Sequence, residues 1–111
     1  PLAQGVLTGK YDTGTPAVDS RLGNKKSSMF VESYMTSVNR QRVHKLVNIA
    51  AELGTSPSCL ALQWCLRNEI LASAITSATK LTQLLENLKA GEIEVPANII
   101  SKIDKLFKPA K

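Results

Sequence analysis

Three stretches of this chain carry residue types suited to holding an anion. The first is Gly5–Lys10, in which Gly5 and Gly9 bracket Val6-Leu7-Thr8 and Lys10 follows. Glycine has no Cβ, so the backbone can approach a ligand closely, and a lysine beside such a loop offers a mobile point charge suited to phosphate. The second is Ser20-Arg21, in the middle of a long irregular region. The third is Ser77-Ala78-Thr79, small residues between a short apolar run and the start of a helix. Free N–H groups and the dipole at a helix start favour a phosphate there, and Thr79 adds a hydroxyl donor.

Downstream of the third stretch, Thr79, Gln83 and Asn87 recur at i, i+4 and i+8, with Glu86 beside them. That spacing lines one face of a helix. An Asn or Gln amide matches the donor–acceptor pair of adenine, and a carboxylate can accept from the exocyclic amine. A phosphate end and a purine end would then follow one another along a single helix. The same spacing also describes the polar side of an ordinary amphipathic helix whose other side is Leu81, Leu84, Leu85 and Leu88. Spacing alone leaves both readings open.

The elements that would position these groups can be read from period and punctuation. Residues 1–37 look irregular, broken by Gly14, Pro16, Gly23 and a Ser/Lys/Asn-rich patch; a loop of that length in a compact domain is usually functional or mobile. From Asn39 a helical period begins, with Val43, Leu46, Val47, Ala50 and Leu53 on one face and a stop at Gly54. Ser56-Pro57 opens a second helix over about 57–68, with Ser as cap and Pro in the first turn. It is apolar nearly all round. Ile70–Ile75 is too short for a helix and reads as a buried strand of the parallel kind. A third helix follows from Leu81 to Gly91. Pro96 opens a fourth, with Ile99, Ile100, Ile103, Leu106 and Phe107 on its buried face.

At 111 residues, 43% hydrophobic and 21% charged, the chain has room for at most one soluble domain. It contains no apolar run near the roughly 18 residues of a membrane span. The net charge of +5 comes from scattered basic residues, and only Arg40, Arg42 and Lys45 lie close together. This suits solvated faces better than a nucleic-acid stripe. Cys59 and Cys65, six residues apart on one helix, fall on different faces and fit no zinc spacing; reduced thiols in a cytoplasmic protein are expected. A helix-turn-helix module is the alternative. Ile49–Ser58 has the form of its turn, but the following helix shows Leu60, Leu62, Trp64, Cys65 and Leu66 where base-reading polar residues are needed. One buried strand requires neighbours, and helices with wide apolar faces require a sheet. The pattern is therefore that of the last units of a larger α/β protein, and the segment by itself is expected to be poorly stable or oligomerising.

The chain resembles the C-terminal part of the aldo-keto reductases, in the branch that includes the voltage-gated potassium channel beta subunits. The residues that carry the resemblance are Pro1–Gly5 with Leu7–Tyr11, Ser20-Arg21, Leu60–Glu69 and Gln83–Leu88, in family order over nearly the whole chain. The resemblance implies the closing portion of a (β/α)8 TIM barrel that binds NADPH and reduces aldehydes or ketones to alcohols by hydride transfer. Residues 1–111 would be part of that one barrel domain, with Ile70–Ile75 as the eighth strand. By the same resemblance Pro1, Leu2, Ala3 and Gln4 would run along the nicotinamide through backbone contacts. Lys10 and Arg21 would hold cofactor phosphates. Ser77 lies in the phosphate loop, and Thr79 and Gln83 would meet the adenosine phosphate. Glu86 and Asn87 would meet adenine. The family often has Gly at Ser77 and Pro at Leu81, and the channel subunits have a Tyr before Ser20-Arg21, where Val18-Asp19 stands here. The family's catalytic Asp, Tyr, Lys and His come from earlier strands, so no catalytic residue is assigned; Tyr11 is expected to pack and His44 to lie at the surface. The implied partner of the complete protein is a small carbonyl substrate, with a homo-oligomer allowed and a channel-associated regulatory subunit as a further reading.

Overall fold

A computed structural model describes residues 1–12 and 14–108. The chain begins with a 3-10 segment, Ala3–Thr8, and continues through α1 (Ser28–Glu32), α2 (Ser37–Glu52), α3 (Pro57–Leu66) and α4 (Leu81–Leu88). A 3-10 turn, Lys89–Gly91, leads to α5 (Ala97–Phe107). The region 1–37 is thus less irregular than its punctuation suggested, because two short helices form in it.

The helix starts follow the capping chemistry. Thr36 Oγ1 accepts from the Asn39 N–H at 3.1 Å and Ser56 Oγ from the Cys59 N–H at 3.1 Å, each satisfying one donor that a first helical turn leaves free. Pro57 occupies the first turn of α3, where its missing N–H costs nothing. The chain leaves α2 at Gly54, whose φ of +67° suits glycine. Replacing the α3 cap, Ser56→Ala, is expected to destabilise the complete protein by about 1 kcal/mol, read as a lowered urea midpoint at unchanged slope.

α3 is the hub. Cys59, Leu60, Ala61 and Leu62 are buried, and the helix touches α2, α4 and both 3-10 segments. Leu46 and Ala50 from α2, Leu60 from α3, and Ile99 and Ile103 from α5 form one apolar cluster. Val6, Tyr11, Val31 and Val43 form a second, which anchors the start of the chain on α2. Cys59, Leu62 and Ala90 form a third. Burial of Ser58–Leu62 removes the face a recognition helix would need, so the helix-turn-helix reading does not fit this packing. Both cysteines are free, as their spacing implied. Among the described residues no helix is long and apolar enough to cross a membrane.

The expected strand at Ile70–Ile75 does not form. Residues 70–78 have no regular structure, and among the described residues there is no β-strand. A strand exists only as a ladder with a neighbour, and the chain supplies no second strand to pair with it. The run lies largely outside the core instead, with Ile70 and Ile75 exposed by 93% and 86% and only Ala74 packed on the Cys59–Leu62–Ala90 cluster. The third helix also ends earlier than expected, at Leu88, and Lys89–Gly91 tightens into the 3-10 turn.

Candidate functional site

The first loop is a sharp left-handed turn. Ala3, Gln4 and Gly5 have φ of +48°, +59° and +91°. The N–H groups of Gly5 and Leu7 both donate to the Leu2 carbonyl, at 3.0 and 3.2 Å. Two non-glycine residues in that region are unusual and store strain of the sort that gathers at ligand clamps. Pro1 and Gln4 are exposed, whereas Leu2 packs on the Cys59–Leu62–Ala90 cluster and Ala3 on the Val6–Val43 cluster. The missing side chain at Gly5 leaves room for Lys10: a Cβ there would lie 2.8 Å from Lys10 Cε. The Lys10 ammonium sits 5.0 Å from the centre of the Tyr11 ring. Tyr11 is buried as expected, and its hydroxyl has no hydrogen-bond partner among the described residues.

Two contacts made at the margins of the three anion-binding stretches draw them together. The Arg21 guanidinium donates to Gln4 Oε1, linking the second stretch to the first. Ser20 shapes that turn, donating to the Ala17 carbonyl at 2.6 Å and accepting from the Gly23 N–H at 3.1 Å. The Lys80 ammonium meets Asp19 Oδ2 at 3.1 Å, linking the second stretch to the third. Hydrogen bonding and charge from Lys80 hold the Asp19 carboxyl below its ordinary range, and Lys10 adds to the same effect. Lys10, Arg21 and Lys80 therefore belong to one neighbourhood. The cation at Lys80 and the carboxylate at Asp19 were not singled out in the sequence. Lys80 precedes the first residue of α4, the position at which a helix start gathers an anion, and that was the available signal.

The α4 residues divide into two groups. Gln83 Oε1 accepts from both the Thr79 N–H, at 3.0 Å, and the Thr79 hydroxyl, at 3.2 Å. Asn87 Nδ2 donates to Thr76 Oγ1 at 3.4 Å. The i, i+4, i+8 row thus lies along the outer side of the Thr76–Lys80 loop, with Ser77 exposed in it. Glu86 turns the other way, toward α3. The Cys59 thiol donates to the Glu86 carbonyl at 3.0 Å, and the Lys89 ammonium lies 3.4 Å from its carboxylate. Hydrogen bonding from the Ser56 hydroxyl, helped by Lys89 and Cys59, holds the Glu86 carboxyl below its usual range against the opposing effect of burial. Of the two residues expected at adenine, Asn87 lies with the row and Glu86 is engaged by α3.

His44 is at the surface, as expected, and its Nδ1 meets Asp12 Oδ2 at 2.8 Å. Tyr34 is exposed. Lys10, Arg21 and Lys80 supply cations; Gln4 and Thr79 supply neutral donors. This is the chemistry a pyrophosphate or phosphomonoester requires. The residues present fit a dinucleotide phosphate.

The family model described as "Aldo/keto reductase family" matches residues 1–108. A "Probable voltage-gated potassium channel subunit beta" of Oryza sativa subsp. japonica is 39% identical over 106 residues, 96% of this chain and 32% of that protein. A protein of the same description from Arabidopsis thaliana is 38% identical over 113 residues, again covering 96% of this chain and 32% of that protein. The chain spans about a third of the length of these relatives. With the family model matching nearly the whole chain, the chain belongs to the aldo/keto reductase family.

Proposed function

We propose that this segment clamps NADPH within a (β/α)8 reductase that converts aldehydes or ketones to alcohols. The observation that carries the reading is the joining of three anion-binding stretches through Arg21–Gln4 and Asp19–Lys80. When bound, the dinucleotide supplies the hydride. This chain's residues do the holding. Pro1–Gln4 would run along the nicotinamide side, their backbone fixed by the left-handed turn. Lys10 and Arg21 would grip the phosphates by charge-assisted hydrogen bonds. Thr79 would turn its N–H and hydroxyl from Gln83 Oε1 to the adenosine phosphate, Gln83 would add its amide N–H groups, and Asn87 would meet the adenine edge. Glu86 would reach adenine only by leaving Ser56, and otherwise fixes α4 against α3. The proton donor would be a Tyr outside this segment, in a protein of the cytoplasm.

The test is titration of the complete protein with NADPH and with NADH, followed by turnover of a panel of small aldehydes and ketones. Saturable binding that favours NADPH, with nicotinamide oxidation matched by loss of carbonyl, is the expected result. Absence of binding by either dinucleotide overturns the reading. The relatives described as potassium channel beta subunits favour a second one, a subunit that accompanies a potassium channel. Tight NADPH binding without turnover, together with co-purification with co-expressed channel protein, would favour it.

A further inference from the structure

Helices α2 and α5 pack side by side, and each turns a matching strip outward. On α2 the strip is Lys45, Asn48 and Ile49; on α5 it is Lys102, Lys105 and Leu106. Both follow i, i+3, i+4, so each triplet shares one face of its helix. Between them lies a groove of about 430 Å³. Ile49 and Leu106 are half-buried against the cluster of Leu46, Ala50, Leu60, Ile99 and Ile103 and form its floor. The three lysines stand exposed around it. At one end Arg42 donates to the Lys108 carbonyl at 3.1 Å, fastening α5 to α2 and adding a further cation. Among the described residues no carboxylate lines the groove. Asp104, the acidic residue of α5, is held elsewhere by the Arg67 guanidinium at 2.9 Å and the Trp64 indole N–H at 2.7 Å.

We propose that this groove is a docking site for an acidic amphipathic segment of a partner protein. Such a segment would set one apolar side chain on Ile49 and Leu106 and its carboxylates against Lys45, Lys102 and Lys105. Charge complementarity names the partner's sign: three ammonium groups around one groove repel each other and attract anions. The lysines also say which way the groove faces. Burying three ammonium groups requires acceptors for each, so the strip is less suited to packing against the rest of a barrel than the Leu81–Leu88 side of α4. The Leu81–Leu88 side of α4, apolar and uncharged, has the character of a packing face. The small apolar area selects among anionic partners. A bilayer would gain little from only two half-buried apolar side chains, Ile49 and Leu106. A nucleic acid satisfies the lysines and leaves the apolar floor uncovered. A peptide with Leu or Phe between Glu residues satisfies both. Exposed ion pairs contribute little singly, so affinity roughly in the ten- to hundred-micromolar range, falling with salt, is expected.

The test uses the complete protein and a fluorescein-labelled peptide of about four helical turns, with Leu at i and i+4 and Glu flanking them. Fluorescence anisotropy should show saturable binding. The variant Lys45→Glu/Lys102→Glu/Lys105→Glu should weaken it at least about tenfold, and Leu106→Gln about fivefold, with NADPH affinity unchanged as evidence of folding. A scrambled peptide of the same composition, which breaks the Leu strip, should bind about fivefold more weakly to the unaltered protein; this comparison holds even if a variant fails to fold. Equal binding of the scrambled peptide overturns the proposal. So does undiminished binding by the triple variant, or a response to phosphatidylserine vesicles or a DNA oligonucleotide with none to the peptide.

Discussion

Residues 1–111, produced alone, are expected to bind the dye ANS strongly, to self-associate and to melt without a cooperative transition. The reason lies in α4 and the run before it. Leu81, Leu84, Leu85 and Leu88 are all exposed, with Leu81 at 69%, and no residue of α4 is buried. Ile70 and Ile75 also lie in solvent. Burying one such side chain contributes about 1.5–3 kcal/mol. Six left largely uncovered forgo roughly 10 kcal/mol, as much as the whole net stability of an ordinary domain. An exposed apolar surface of this sort is an association site by default, and the backbone of residues 70–78 offers unsatisfied groups to any passing strand. The same residues within the complete protein should give one cooperative transition and little dye binding. Calorimetry and sedimentation of the isolated segment decide the matter. A monomer with a single sharp transition would mean that α4 finds cover within these residues, and the barrel expectation for this face would fall with it.

What could be read from the sequence divides along the range of the interactions. Local chemistry was legible. Ser56-Pro57 announced α3, Gly54 ended α2, and the 3.6-residue period of Leu46, Ala50, Ile99 and Ile103 named the residues that meet in the core. Cys59 and Cys65 were separable from spacing alone. Non-local chemistry was not. Ile70–Ile75 has the composition of a strand, but a strand is a property of two segments, and its neighbour is not in this chain. The three anion-binding stretches were each visible. Their joining through Arg21–Gln4 and Asp19–Lys80 spans 17 and 61 residues, and no local signal encodes a pairing of that reach. Glu86 shows the same limit from the other side. Its place beside Gln83 and Asn87 suggested an adenine contact, while the α3 cap Ser56, distant in sequence, engages its carboxylate.

Replacing Arg21 with Ala in the complete protein is expected to weaken NADPH binding by about ten- to a hundredfold, the equivalent of one lost charge-assisted hydrogen bond of about 1.5–3 kcal/mol. Three features make Arg21 the residue to remove. It is the guanidinium among the cations gathered there, and a planar fork can take two phosphate oxygens at once. Gln4 already holds its head group toward the first loop, so little orientation must be gained on binding. Lys10 and Lys80 remain as point charges and limit the loss, which is why the effect stops near a hundredfold. Arg21→Lys should recover only part of the affinity, because an ammonium keeps the charge and loses the fork. The comparison with NADH locates the phosphate that Arg21 serves. An equal loss for both dinucleotides places it on the pyrophosphate they share. A loss confined to NADPH places it on the extra phosphate, with Thr79 and Gln83 as its companions. Unchanged affinity for both would mean that the Arg21–Gln4 contact only braces the loop, and the clamp would then rest on Lys10 and the start of α4.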